Sequence, residues 1–201
     1  MYEDDIRYNQ ERLNPEKKVY LLLNKPKDYV TSVEDPHAQK TVMELVSNAC
    51  KERIYPVGRL DRMTTGVLLF TNDGTIALKL THPSNNIRKM YQVTLSKKLR
   101  TEDFEKIAEG ITLEDGFIRP DEIAYLDEEQ RNIGIEIHSG RNRIVRRIFE
   151  SLNYTVTRLD RVYFAGLTKK GISRGKWRFL NPAEVNALKM MKGETEPAGA
   201  L

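Results

Sequence analysis

Cysteine is almost absent from this chain: Cys50 is the only one in 201 residues. An internal disulfide is therefore impossible, and so is a metal cluster built on thiolates. The three histidines, His37, His82 and His138, are scattered without the spacing of metal ligands. No apolar run is long enough to span a bilayer, and the acidic, polar start of the chain does not read as a signal peptide. A phosphate-binding loop, a dinucleotide fingerprint and a nucleophile elbow are also missing. The expectation is a reduced, soluble, cytoplasmic protein with no metal, no cofactor and no membrane partner. Nor is there a large excess of one charge: 33 basic residues against 29 acidic leave +4. Any case for nucleic-acid binding must rest on where the charges lie.

What is present suffices for a core, since 39% of residues are hydrophobic. "KVYLLLNKP" reads as a strand stopped by Asn24 and Pro26. "TVMELVSNAC" and "TIALKLTH" read as short helices, "RIYPVGRL" as extended chain, and "GVLLFTNDG" as a buried strand closed by a turn signal. "KMYQVTLSK" alternates as a half-buried strand does. "TEDFEKIAEG" reads as a helix with Thr101 as its cap and Gly110 as its stop. Strands follow around "ITLEDGFI" and "NIGIEIHSG". In "NRIVRRIFESLN", Ile144, Val145, Ile148 and Phe149 form one apolar helical face, with Arg143 and Arg147 together on another. "YTVTRLDRVYF" and "GKWRFLN" read as closing strands, and "PAEVNALKMM" as a helix with Pro182 in its first turn. Strict strand–helix alternation is missing. The expected class is α+β, with a largely antiparallel mixed sheet flanked by helices. The expected division is a polar N-terminal segment over 1–17, one domain over 18–192 and a tail over 193–201.

Three stretches carry candidate chemistry. Asp61 stands between Arg59 and Arg62, ahead of the apolar run Val67–Phe70. It reads either as an ordinary turn residue or as one carboxylate presented at a cleft by a strand-end loop. Arg141, Arg143, Arg146 and Arg147, with Arg158 further on, read either as a solvated helix face or as a phosphate-binding surface. Lys169, Lys170, Arg174, Lys176 and Arg178 either extend that surface or are soluble decoration. Tyr91 reads as a packed strand residue or as a platform for a base.

Taken together, four ordered stretches resemble the RNA pseudouridine synthases, in the branch containing RsuA, RluB, RluE and RluF. They are "LLLNKPKDYVTS", "YPVGRLDRMTTGVLLFTNDG", "KMYQV" and "SGRNRIVRRIFESLNYTVTRLDR", and the likeness runs from about Val19 to Leu180. The resemblance implies a pseudouridine synthase fold with an RNA-binding cleft. It implies isomerisation of a uridine in ribosomal RNA, 23S ahead of 16S, by a monomer without cofactor. It makes Asp61 the essential carboxylate, Arg146 its partner across the active site, and Tyr91 the residue packed on the target base. Lys25 and Arg59 match motif positions with RNA-facing or structural roles, and with them Arg62, Arg141, Arg143 and Arg147 are the expected RNA-binding residues.

Two departures stand out. Relatives usually carry Gln where this chain has Ile144, which implies altered packing without loss of activity. Most of the branch begins with a small RNA-binding S4 domain. Here "DDIRYNQERL" resembles only its trailing edge, so the chain reads as a catalytic piece or a natural short form. The rival readings are a non-catalytic RNA-binding module on the same scaffold and a glycosidase-like hydrolase. The second needs another acid beside Asp61.

Overall fold

The computed structural model describes residues 16–33 and 40–191, with the backbone of 7–8 and 11–12. The expected N-terminal segment falls mostly outside these residues, and the expected tail wholly so. In chain order the elements are β1 (Arg7–Tyr8), β2 (Glu11–Arg12), β3 (Tyr20–Lys25), α1 (Val42–Val46), β4 (Tyr55–Pro56), β5 (Thr65–Thr71) and α2 (Gly74–Thr81). Then come β6 (Lys89–Leu95), α3 (Thr101–Glu109), β7 (Ile111–Leu113), β8 (Gly116–Ile118), β9 (Glu122–Tyr125) and β10 (Asn132–Ile137). The chain continues with α4 (Ile144–Glu150), β11 (Val156–Phe164), β12 (Leu167–Thr168), β13 (Trp177–Phe179) and α5 (Pro182–Met190).

Nine strands form one sheet in the order β13-β3-β5-β11-β6-β10-β9, with β12 beside β11 and β4 beside β5. The β5–β11 pair is parallel; every other ladder in this sheet is antiparallel. The α+β class with a largely antiparallel mixed sheet is what the sequence leads one to expect.

The continuous apolar runs have a packing reason. Alternate residues of β3 and β5 enter two different cores. Tyr20, Leu22, Val67 and Leu69 pack with α2 and α5, while Leu21, Leu23, Leu68 and Phe70 pack with α1. A third core joins β6, β10 and β11 to the apolar face of α4, including Ile144, Val145, Ile148 and Phe149.

Four local readings change. "ITLEDGFI" is the hairpin β7–β8 rather than one strand, turning at Glu114–Asp115. Strands β9 and β12 were not expected. Thr101 is the first helical residue of α3, and Arg100 takes the cap position. The arginine-rich helix is shorter than its pattern suggests, ending at Glu150.

Candidate active site

The loop between β4 and β5 carries Asp61, and a buried lysine holds it from beneath. Lys25 is fully buried. Its Nζ donates to the carbonyls of Thr64 at 2.7 Å, Asp61 at 3.1 Å, Arg62 at 3.2 Å and Pro26 at 3.1 Å. Four carbonyls replace the water an ammonium would otherwise hold. Burial pushes its pKa down to about 8, with Asp61 pulling the other way. The expectation that Lys25 faces RNA is therefore corrected: no part of it reaches solvent, and it staples the loop. Thr31 ties the other end, donating to the Leu60 carbonyl at 2.8 Å and accepting from the Leu60 amide at 3.1 Å.

Behind the loop, Gly66 allows β11 to come close. Its φ is +112°, and an added Cβ would lie 2.1 Å from the Arg161 carbonyl oxygen. The β5–β11 ladder pairs Thr65 with Asp160 and Gly66 with Arg161 at this point. On the far side of β11, Arg161 faces Tyr91 of β6. One stretch of sheet thus sets the Asp61 loop, Arg161 and Tyr91 side by side.

Helix α4 closes the site. Its N-cap, Arg143, has the left-handed φ of 48°. The Arg143 Nη1 lies 3.4 Å from Asp61 Oδ2, and the Arg146 Nε lies 3.8 Å from the same oxygen. Arg146 is buried and also donates to the Val156 carbonyl at 3.4 Å. Burial first, then Arg143, push its pKa down, while Asp61 opposes both. The structure thus brings Asp61 and Arg146 together and adds Arg143 at shorter range. Two buried side-chain atoms among the described residues lack any hydrogen-bond partner, Thr64 Oγ1 and Arg146 Nε, and both belong here. Buried polar atoms are rarely left so, and a ligand is one reason.

Asp61, Thr64, Tyr91, Arg143 and Arg161 line a cavity of about 390 Å³, and Arg146 stands behind it against Asp61. Among the described residues, Asp61 is its one carboxylate, set against Arg59, Lys89, Arg141, Arg143 and Arg161. Tyr91 is half-buried on its wall. Lys89 donates to the carbonyls of Ile87 at 3.1 Å and His138 at 3.0 Å. Burial, then Arg161, push its pKa down to about 8.

The other expected RNA-facing arginines separate. Arg59 is exposed and has no ion pair with a described residue. Arg62 is exposed and pairs with Asp28 at 3.4 Å. Arg147 is engaged away from the cavity, and Arg141, although it lines the cavity, is held by the same acid. Arg147 grips Asp115 through both oxygens at 2.9 Å. Arg141 reaches the same carboxylate at 3.0 Å and the carbonyls of Asp115, Gly116 and Phe117. Both pin the β7–β8 hairpin. Three of the five residues in the second basic run are also engaged: Lys169 and Arg174 meet Asp160, and Arg178 meets Glu184 at 2.7 Å. Ile144 is buried at the head of α4 and lines the cavity, an apolar residue in an apolar place. Sequence reasoning missed Arg161, Lys89 and Thr64 as cavity residues. All three lie inside the quoted motifs, but nothing local marks them.

Among the described residues, no second acid lines the cavity as a hydrolase would require. Asp73 caps α2 and accepts from the Tyr20 hydroxyl at 2.5 Å, and it does not line the cavity.

Comparison with known proteins agrees with this architecture. The profile of the RNA pseudouridylate synthase family matches residues 19–151. A crystal structure of a pseudouridylate synthase superposes with a TM-score of 0.78 at 29% identity, over 87% of this chain and 75% of that one. The chain belongs to the RNA pseudouridine synthase family and is an isomerase acting on RNA. Within that family it is 38% identical over 192 residues to the ribosomal large subunit pseudouridine synthase B of Bacillus subtilis (strain 168), covering 94% of this chain and 78% of the relative. It is 36% identical over 188 residues to an uncharacterized RNA pseudouridine synthase of Aquifex aeolicus (strain VF5), covering 92% of this chain and 75% of the relative.

Proposed function

We propose that residues 18–192 form a catalytic domain that converts a uridine of ribosomal RNA, in the large-subunit 23S molecule rather than 16S, to pseudouridine. Asp61 is its catalytic carboxylate. The carrying observation is the cavity itself: a single acid among five cationic side chains, with two guanidiniums on one of its oxygens. The relatives named for the ribosomal large subunit support the choice of RNA.

The reaction breaks the N1–C1′ bond of uridine and makes a C5–C1′ bond. C5 gives up its hydrogen and N1 gains one, so atoms balance with no cofactor or outside electron donor. A stacked uridine cannot reach a cavity walled in this way, so it flips out, at a cost of a few kcal/mol. Tyr91 offers a ring to the flipped base, worth about 1–3 kcal/mol. Arg59 and Arg143 lie exposed at the cavity and Arg62 exposed on the adjoining Asp61 loop, and the three meet the flanking phosphates. Asp61 acts at the sugar or the base, as nucleophile or proton acceptor, with Arg146 fixed beside it. The working form is a cytoplasmic monomer without metal.

Release of tritium from rRNA labelled at uridine C5 tests this reading, because only turnover frees that hydrogen. Asp61→Asn is expected to lower release by on the order of 10⁴-fold or more while RNA binding persists. Unimpaired release from that variant would reject Asp61. Binding by wild type with no release would make the protein an RNA-clamping module. Release of free uracil would indicate hydrolysis.

A further inference from the structure

Arg161 is a buried cation with no acid to answer it. It is 3% exposed, and no carboxylate among the described residues pairs with it. Its Nε and Nη2 both donate to the Val67 carbonyl, at 3.0 and 2.8 Å. Its guanidinium carbon lies 4.5 Å from the centre of the Phe164 ring. A guanidinium has five N–H donors. Even with the neighbouring Tyr91 hydroxyl as a further acceptor, at least two donors remain without a described partner. The residue also lines the cavity, facing the same space as Asp61.

An uncompensated buried charge is costly, and an apolar side chain of similar volume would stabilise the fold better. Asp61 does not repay that cost, because Arg143 and Arg146 already converge on it. Nor can Arg161 swing out to solvent. Its guanidinium is fixed by the Val67 carbonyl and the Phe164 ring, and its backbone is pressed against Gly66. What remains is a rigid cluster of donors on the cavity wall, next to the tyrosine that takes the base.

We propose that Arg161 reads the edge of the flipped base, donating to one carbonyl oxygen of uracil, O2 or O4. This rests on the uridine substrate proposed above and gives that site a specificity device. Uracil shows acceptors at both positions. Cytosine keeps O2 but shows an amino group in place of O4, so contact at O4 would set its N–H against the guanidinium's own, whereas contact at O2 would orient the base without rejecting cytosine. Sites that hydrogen-bond a substrate group reject analogues that lack it, because their own buried group is then left unpaired.

The test uses a short rRNA fragment carrying the target uridine, located first by pseudouridine sequencing. Three versions differ at that nucleotide alone: uridine, 2-thiouridine and 4-thiouridine. Sulfur accepts hydrogen bonds poorly, so the thio analogue at the contacted position is expected to lower wild-type kcat/KM by about 10–100-fold. That ratio should fall toward one in Arg161→Met, while Arg161→Lys retains part of it. A general loss of fold would slow all three RNAs alike and leave the ratio unmoved. The proposal is overturned if wild type turns over both thio RNAs at the uridine rate, or if the ratio survives in both variants. It is also overturned if Arg161→Met changes only the salt dependence of binding, which would assign the side chain to a phosphate. Should neither variant melt cooperatively, the wild-type arm decides alone. Failure to turn over the uridine RNA would be a separate result, counting against the proposed substrate.

Discussion

The four arginines around the head of α4 meet two different fates. Arg143 and Arg146 turn to Asp61 on the cavity wall. Arg141 and Arg147 turn to Asp115 on the β7–β8 hairpin. All four come from the seven residues "RNRIVRR", so residue type and local density cannot separate them. What separates them is the acid each meets, and the acids arrive from different parts of the chain. Asp61 lies 82 residues from Arg143, and Asp115 lies 26 and 32 residues from Arg141 and Arg147. A basic run is therefore only a supply of cations, and tertiary structure assigns their use.

The comparison can be broken most forcefully at Arg146. Arg146→Ala is expected to lower kcat by about 10²–10³-fold, as loss of one preorganised charge at a reacting centre does. Tritium release under saturating RNA measures it, and a kcat within a few-fold of wild type would dissolve the distinction between the pairs. Gly66→Ala attacks the shared wall instead. Its Cβ would force β11 away from β5 and cost about 3 kcal/mol, read from urea unfolding. An unchanged midpoint would mean the seam is looser than its geometry. Arg147→Ala probes the other pair. It should cost about 1 kcal/mol of stability through the hairpin and leave both kcat and the salt slope of RNA binding where they were. A shallower slope would return Arg147 to the RNA surface.

The smallest effect is in pH. Lys25 and Lys89 titrate near 8 in the folded protein against an ordinary 10.5. Between those values the unfolded chain binds more protons, so stability contributed by these groups rises with pH across that window. Calorimetry of wild type and Lys89→Met from pH 7.5 to 9.5 should show the steeper upward slope in wild type. Identical slopes would show that cavity burial does not discharge Lys89.

The sequence made the long elements legible because β3 and β5 carry unbroken apolar runs and α4 a clear helical face. Strands β9 and β12 were hidden, being short edge pieces whose partners alone define them. Asp61 and Arg146 stood out locally as a loop acid and one arginine of a cluster, but only their place in ordered motifs paired them. Lys25 was misjudged for a physical reason: in "NKPKD" it looks solvated, and the carbonyls that enclose it come chiefly from a loop 36 to 39 residues on. Arg161 was overlooked because a buried, acid-free arginine runs against every local expectation for that residue.

The parallel seam between β5 and β11 has a consequence for how the protein is made. Thr65 and Asp160 stand 95 positions apart, and between them lie β6, α4 and three of the five cavity cations, Lys89, Arg141 and Arg143. A growing chain that has just completed β5 already contains Asp61, but neither Arg143 nor Arg146, the two guanidiniums that meet it in the finished fold, has yet been made.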